Sequence, residues 1–207
     1  DAVVINNQLG NYPNKDLSGA GVTWQFCRAL DDVFNINYSK ELIDLAALGI
    51  DADMMSMLSY ENQYIVQTGF KNINNFFFKV LIDKQSYSMN NKITPITVAF
   101  YIVPMINAMI RVGSMDEKER LFLAFIDGEK LVPCNKRGAK GTMELVAIES
   151  ARECTNAKSR QDKTKIKGGY YVKEKKKSPA AAEKQKGHGN GSGRHSGSYS
   201  CNSGTDF

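Results

Sequence analysis

The chain has 207 residues, 42% of them hydrophobic, enough for one domain with a sizeable core. Its net charge of +5 is uneven: residues 1–154 hold 15 Lys+Arg against 18 Asp+Glu, and residues 155–207 hold 12 against 4. Four scattered cysteines (Cys27, Cys134, Cys154, Cys201), with no C-x-x-C pair, and two histidines (His188, His195) argue against a zinc site or a disulfide framework and suit a reducing cytoplasm.

Ala2–Ile5 is a β-branched run and reads as a short buried strand. It opens the chain without a basic leader or an initiator Met, as expected of the later part of something longer. Asn6–Asp16 reads as a loop, and Ser18 as the cap of a helix to about Val33 with Val22, Phe26, Leu30 and Val33 on one face. Ser39 is positioned to cap a second helix, stopped by Gly49. Ser59 opens a third that ends at Gly69, and Asn74–Lys84 reads as a fourth, with Phe77, Val80 and Leu81 inward. Phe76-Phe77-Phe78 is core by composition, although adjacent aromatics can also stack on bases.

Thr94-Pro95 marks a helix start. That helix is expected to end before Pro104, so no apolar run reads as long enough to cross a membrane. Phe100–Pro104 reads as core. Ser114 to Glu117 is a capping box, with Gly128 as a C-cap, and a last long helix is expected from Thr142 past Cys154 towards Lys165. It carries Leu145 and Ile148 on its apolar face. Beyond about residue 168 the basic, Gly/Ser-rich composition cannot bury enough apolar surface to order the chain.

Three strings carry candidate chemistry. Ser18-Gly19-Ala20-Gly21 at a helix start can hold a phosphate on backbone N–H groups, or simply let the helix pack tightly against a neighbouring strand. Asp51 and Asp53 would share a face in a strand and offer hard oxygen ligands to Mg²⁺ or Mn²⁺; they equally suit a turn that caps backbone N–H groups. Asn107 and Arg111 follow Pro104, and the guanidinium can pair with a phosphate or stand exposed after a helix.

Taken in order, Tyr12-Pro13-Asn14-Lys15-Asp16-Leu17-Ser18-Gly19-Ala20-Gly21, Ala47-Leu48-Gly49-Ile50-Asp51-Ala52-Asp53, Glu61-Asn62-Gln63 and Pro104-Met105-Ile106-Asn107-Ala108-Met109-Ile110-Arg111 resemble the DHH phosphoesterase superfamily, in particular RecJ-type single-stranded DNA exonucleases of the phage and prophage kind. The resemblance covers residues 1 to about 165. It implies an α/β fold class: residues 1–140 as the C-terminal part of a DHH catalytic domain, mostly helical, residues 141–167 as a connector helix, and residues 168–207 as a disordered tail. It implies hydrolysis of single-stranded DNA from 5′ to 3′ with two Mn²⁺ or Mg²⁺ ions. Asp53 is the one ligand it carries over, while Asp51 falls on a variable position. Ser18, Gly19, Gly21, Asn107 and Arg111 become DNA- or phosphate-binding candidates, although Met105 and Ile110 replace the family's Arg and Gly. The Asp-His-His string that names the superfamily does not occur here, so a lone fragment is expected to be inactive. A single-strand binding protein or a helicase is an expected protein partner, and no membrane is. A non-catalytic scaffold in a replication or recombination complex and a phosphoesterase of small nucleotides are the alternatives.

Overall fold

In the computed structural model the described residues are 3–139 and 141–175, with side chains to residue 164. They form helices α1 (Gly19–Phe34), α2 (Ile43–Ala52), α3 (Tyr60–Lys71), α4 (Phe76–Gln85), α5 (Pro95–Thr97), α6 (Val103–Val112), α7 (Met115–Ile126) and α8 (Val146–Lys175). One antiparallel hairpin joins β1 (Leu131–Pro133) to β2 (Met143–Leu145), with Val132 opposite Glu144. The resemblance's α/β class is thus mostly helical here, with no larger sheet among the described residues.

The helix starts follow from caps. Ser18 Oγ accepts the Gly21 N–H at 3.2 Å, Asn75 Oδ1 accepts the Phe78 N–H at 3.0 Å, and Thr94 and Ser114 build reciprocal capping boxes. α1 ends where Asn35 turns left-handed, at φ 51°.

α2 is the centre of the bundle. Its Ala46, Ala47, Leu48 and Ile50 are buried, and it packs on both α1 and α3. Two glycines set the spacing. A Cβ at Gly49 would lie 2.3 Å from Ala20 Cβ of α1, and one at Gly69 would lie 2.6 Å from Ala47 Cβ and from the Ile43 carbonyl. Contrary to the expectation from sequence, neither glycine ends its helix; each lies within it and admits a close neighbour. Asp44, fully buried, accepts the Asn74 and Asn75 N–H groups at 2.8 and 2.7 Å, and Asn75 Nδ2 donates to the Phe125 carbonyl at 2.8 Å. This chain of bonds ties α2 to the start of α4 and the end of α7. Phe77 and Phe78 are fully buried, Phe77 edge-on to Phe125, so these aromatics are core.

Several expectations are corrected. Val3, Val4 and Ile5 are exposed coil rather than a buried strand, because no other strand pairs with them among the described residues. The expected apolar face of α1 points largely outward: Phe26 and Val33 are exposed, and the buried positions are Gly21, Trp24 and Asp31. Thr142–Leu145 is strand and loop, so α8 starts at Val146 and buries Val146, Ala147, Ala151, Cys154 and Ala157, with Ile148 outside. It extends to Lys175, beyond the expected connector boundary; the rest of the expected tail, with His188, His195 and Cys201, lies outside the described residues.

Pro104 does not end its helix. A π-turn over Val98–Ile102 precedes it and carries the chain from α5 into α6, absorbing the proline that lacks an N–H. Pro95–Val112 is therefore one helical stretch of 18 residues, long and apolar enough by length and composition to cross a membrane, which corrects the expectation. A third of it is buried among the described residues. Within it Ile102 and Val103 are buried and Phe100 is exposed. α8 is pinned to α7 by a forked Arg120–Glu153 pair at 2.6–3.1 Å and by Arg160–Glu117 at 2.8 Å.

Substituting Gly49→Ala should cost about 1–3 kcal/mol by overpacking, read as a lower urea midpoint with an unchanged slope. The Gly19→Ala change, where nothing lies within 4 Å of the new methyl, should stay within about 0.5 kcal/mol of wild type or exceed it.

Candidate functional site

The three strings meet in space. A Cβ at Gly49 would also lie 3.9 Å from Ser18 Oγ, so the start of α1 abuts the last turns of α2. Gly49 and Ala52 in turn line an apolar cleft of about 320 Å³ with Val103, Ile106, Asn107 and Ile110 of α6. Asn107 and Arg111 are one turn apart on α6 and both exposed, while Met105, Ala108 and Met109 face the core. Arg111 makes no ion pair among the described residues.

Not every candidate atom is free. Ser18 is buried and its Oγ is engaged by the Gly21 N–H, while the Ser18 carbonyl accepts the Val22 N–H. Ser18 and Gly21 thus build the helix start and its close approach to α2. Gly19 is the open position of the string.

The two aspartates separate. Both belong to the end of a helix, not to a strand, and residues two apart on a helix point to nearly opposite sides. Asp53 is the C-cap residue and is exposed, its N–H bonded to the Gly49 carbonyl at 3.1 Å. Asp51 is buried, and its Oδ2 has no hydrogen-bond partner among the described residues. Burial pushes its carboxyl up to about 6. The position that the resemblance leaves without a role is the one with the unsatisfied oxygen.

A two-metal site needs several ligands around Asp53. Among the described residues the one group of three ligand side chains within 4.8 Å of one another is Cys134, Glu144 and Glu149, which does not include Asp53. Nor does that group call for an ion: Glu149 already pairs with Arg152 and accepts the Asn135 N–H at 3.2 Å. The described residues alone therefore do not fit the implied pair of metals.

Sequence reasoning left Tyr12, Asn14, Glu61 and Asn62 as marks of ancestry without a role. Glu61 accepts hydrogen bonds from Tyr12 Oη at 2.6 Å, from Asn14 Nδ2 at 2.8 Å, and from Gln25 Nε2. Asn62 is fully buried; it accepts from Asn14 at 3.0 Å and donates to the carbonyls of Asp16 and Ser56 at 2.9 and 2.8 Å. The Glu-Asn pair locks the loop that precedes Ser18 onto α3. Burial and the Glu61 carboxylate together push the Tyr12 phenol up to about 12. The signal legible in the sequence is the occurrence of both Tyr-Pro-x-Lys and Glu-Asn; their contact appears only in the fold.

No family model matches the chain. The curated relatives include the "Putative SPbeta prophage-derived single-strand DNA-specific exonuclease YorK" of Bacillus subtilis (strain 168), 38% identical over 175 residues, and its counterpart in Bacillus phage SPbeta, with the same identity. These alignments cover 83% of this chain and 30% of each relative. The single-stranded-DNA-specific exonuclease RecJ of Bacillus subtilis (strain 168) is 33% identical over 127 residues, 59% of this chain and 15% of that protein. The chain thus spans under a third of the length of the relatives it matches.

Because burial raises the folded pKa of Asp51 above its unfolded value, the folded state binds the extra proton, and stability should fall as pH rises from about 4 to about 6. Asp51→Asn should remove that slope and raise the urea midpoint at pH 7; an unchanged profile would show that the carboxylate is satisfied in solution.

Proposed function

We propose that the chain, RecJ-like in sequence, is a segment of the catalytic region of a metal-dependent 5′-to-3′ single-stranded DNA exonuclease. The observation that carries this is the 38% identity over 83% of the chain; beside it, the three strings of the resemblance converge on the rim between α1, α2 and α6. When bound, two divalent ions in such enzymes supply an activated water and neutralise charge on the scissile phosphate. In this reading Asp53 is one carboxylate ligand, and the remaining ligands come from parts of the longer protein. The chain's own residues hold the strand: Arg111 offers an exposed, forked cation to a phosphate, Asn107 an amide beside it, and Gly19 an open helix start. The segment alone is inactive.

A second reading rests on Asp53 belonging to no group of three ligand side chains among the described residues. A RecJ-like fold without a full ligand set can serve as a binding scaffold in a replication or recombination complex, alongside a single-strand binding protein or a helicase.

With Mn²⁺ and 5′-labelled single-stranded DNA, the chain should bind single strands over duplex and release no nucleotides. Asn107→Ala with Arg111→Ala should weaken that binding by about tenfold, the equivalent of ~1.4 kcal/mol. Hydrolysis that is lost in Asp53→Ala would show a complete site and overturn the inactivity; no preference for single strands would overturn the reading itself.

A further inference from the structure

A cleft of about 840 Å³ shares no lining residue with the one at the rim of α2 and α6. It lies between α1, α3 and the loop before Ser18, and its walls include Tyr12, Trp24, Arg28, Tyr60 and Tyr64. A second cleft of about 580 Å³ shares Trp24, Arg28 and Tyr64 with it, so the two make one groove running on past Lys40. Trp24 is the floor. It is buried, its Nε1 donates to the Ser39 carbonyl at 2.7 Å, and the Arg28 guanidinium lies 5.2 Å over its ring. Tyr60 and Tyr64 stand on the wall, 88% and 59% exposed.

We propose that this groove takes the bases of a single nucleic-acid strand, with Tyr60 and Tyr64 as stacking platforms and Arg28 as the cation between them and Trp24. The proposal rests on the single-strand reading above and adds a contact surface that the relatives' names do not specify. Three observations favour it. Tyr60 and Tyr64 are one helical turn apart, on one face, about 6 Å along the axis, a spacing that an unstacked strand can match base by base. Large aromatic side chains this exposed carry no core function, yet both sit in one groove. The lining is close to balanced in charge: Lys15, Arg28 and Lys40 face Asp16, Asp32, Asp31 and Glu61. Asp31 and Glu61 are spent on internal bonds, to the Tyr38 and Ser39 N–H groups and to the Tyr12 cluster, and hydrogen bonds from Ser39 hold the Asp31 carboxyl below the usual carboxylate range. Such a lining accepts base faces and leaves the phosphates to solvent.

Trp24 is the one tryptophan of the chain, so its emission reports this groove. The 207-residue chain is titrated with oligo(dT) while tryptophan emission and, in parallel, the anisotropy of a labelled oligo(dT) are followed. The two signals should share a midpoint. Tyr60→Ala with Tyr64→Ala should weaken both by about tenfold, and Tyr60→Phe with Tyr64→Phe should restore them, since stacking needs the ring and not the hydroxyl. Circular dichroism of each variant should match wild type, as both residues are exposed. Anisotropy that rises while Trp24 emission stays flat and the alanine variant binds normally would overturn the groove and leave the single-strand reading intact. No anisotropy change with wild type would overturn the single-strand reading, and the groove with it.

Discussion

The close approach of α2 to its two neighbours is the constraint on which the rest of this molecule depends. Gly49 against Ala20 and Gly69 against Ala47 leave no room for a methyl group, so both contacts bring helix surfaces nearer than ordinary side chains allow. At such distances many weak dispersion contacts form at once, and their number compensates for the glycines' cost within a helix. The functional rim follows from the same packing. Because Gly49 admits the start of α1, Ser18 and Asp53 belong to neighbouring helix ends, and α6 closes the cleft from the other side.

Around that apolar centre the polar groups act as fasteners. Asp44 bonds the backbone ahead of α4, Asn75 continues to α7, and Glu61 with Asn62 holds the loop before α1. Asp44 and Asn62 are fully buried and Asn75 and Glu61 partly so, all with partners distant in sequence, and a buried group of this kind left unpaired would cost more than the bond contributes. These bonds select one arrangement of helices that apolar contacts alone would leave freer to slide.

The helix starts at Ser18, Thr94 and Ser114 were legible because a cap is a local event, one side chain and the N–H two or three residues on; α3 also starts after Ser59, but there the side chain makes no cap bond. The faces of the helices were less so. The Val22, Phe26, Leu30, Val33 stripe has correct helical spacing, yet α1 turns Trp24 and Asp31 inward, because a tryptophan with an indole partner and a carboxylate with two backbone donors are chosen by what lies opposite. The hairpin was missed because its strands have three residues each, and Met143-Glu144-Leu145 favours a helix by propensity. For the site, order along the chain identified the strings, while the divergence of Asp51 from Asp53 follows from α2 continuing through Gly49. The roles of Glu61 and Trp24 depend on contacts with residues 15 to 49 positions away.

The π-turn at Val98–Ile102 holds one residue more than an α-helical turn of the same span would need. It acts as a phase adjuster between two halves of one rod. A deletion of a single residue there would let the hydrogen-bond ladder run regularly. Because the extra residue is taken up within that one turn, the helix beyond would keep nearly the same facing, with Met105 and Met109 still in the core and Asn107 still on the cleft beside Ala52. A residue lost from the regular helix of α6 has no such slack and would turn everything beyond it by about 100° about the axis. The angular setting of the rim therefore tolerates a change of length at the π-turn that it does not tolerate in α6, while Val98 and Ile102, both fully buried, fix the identity of the side chains there.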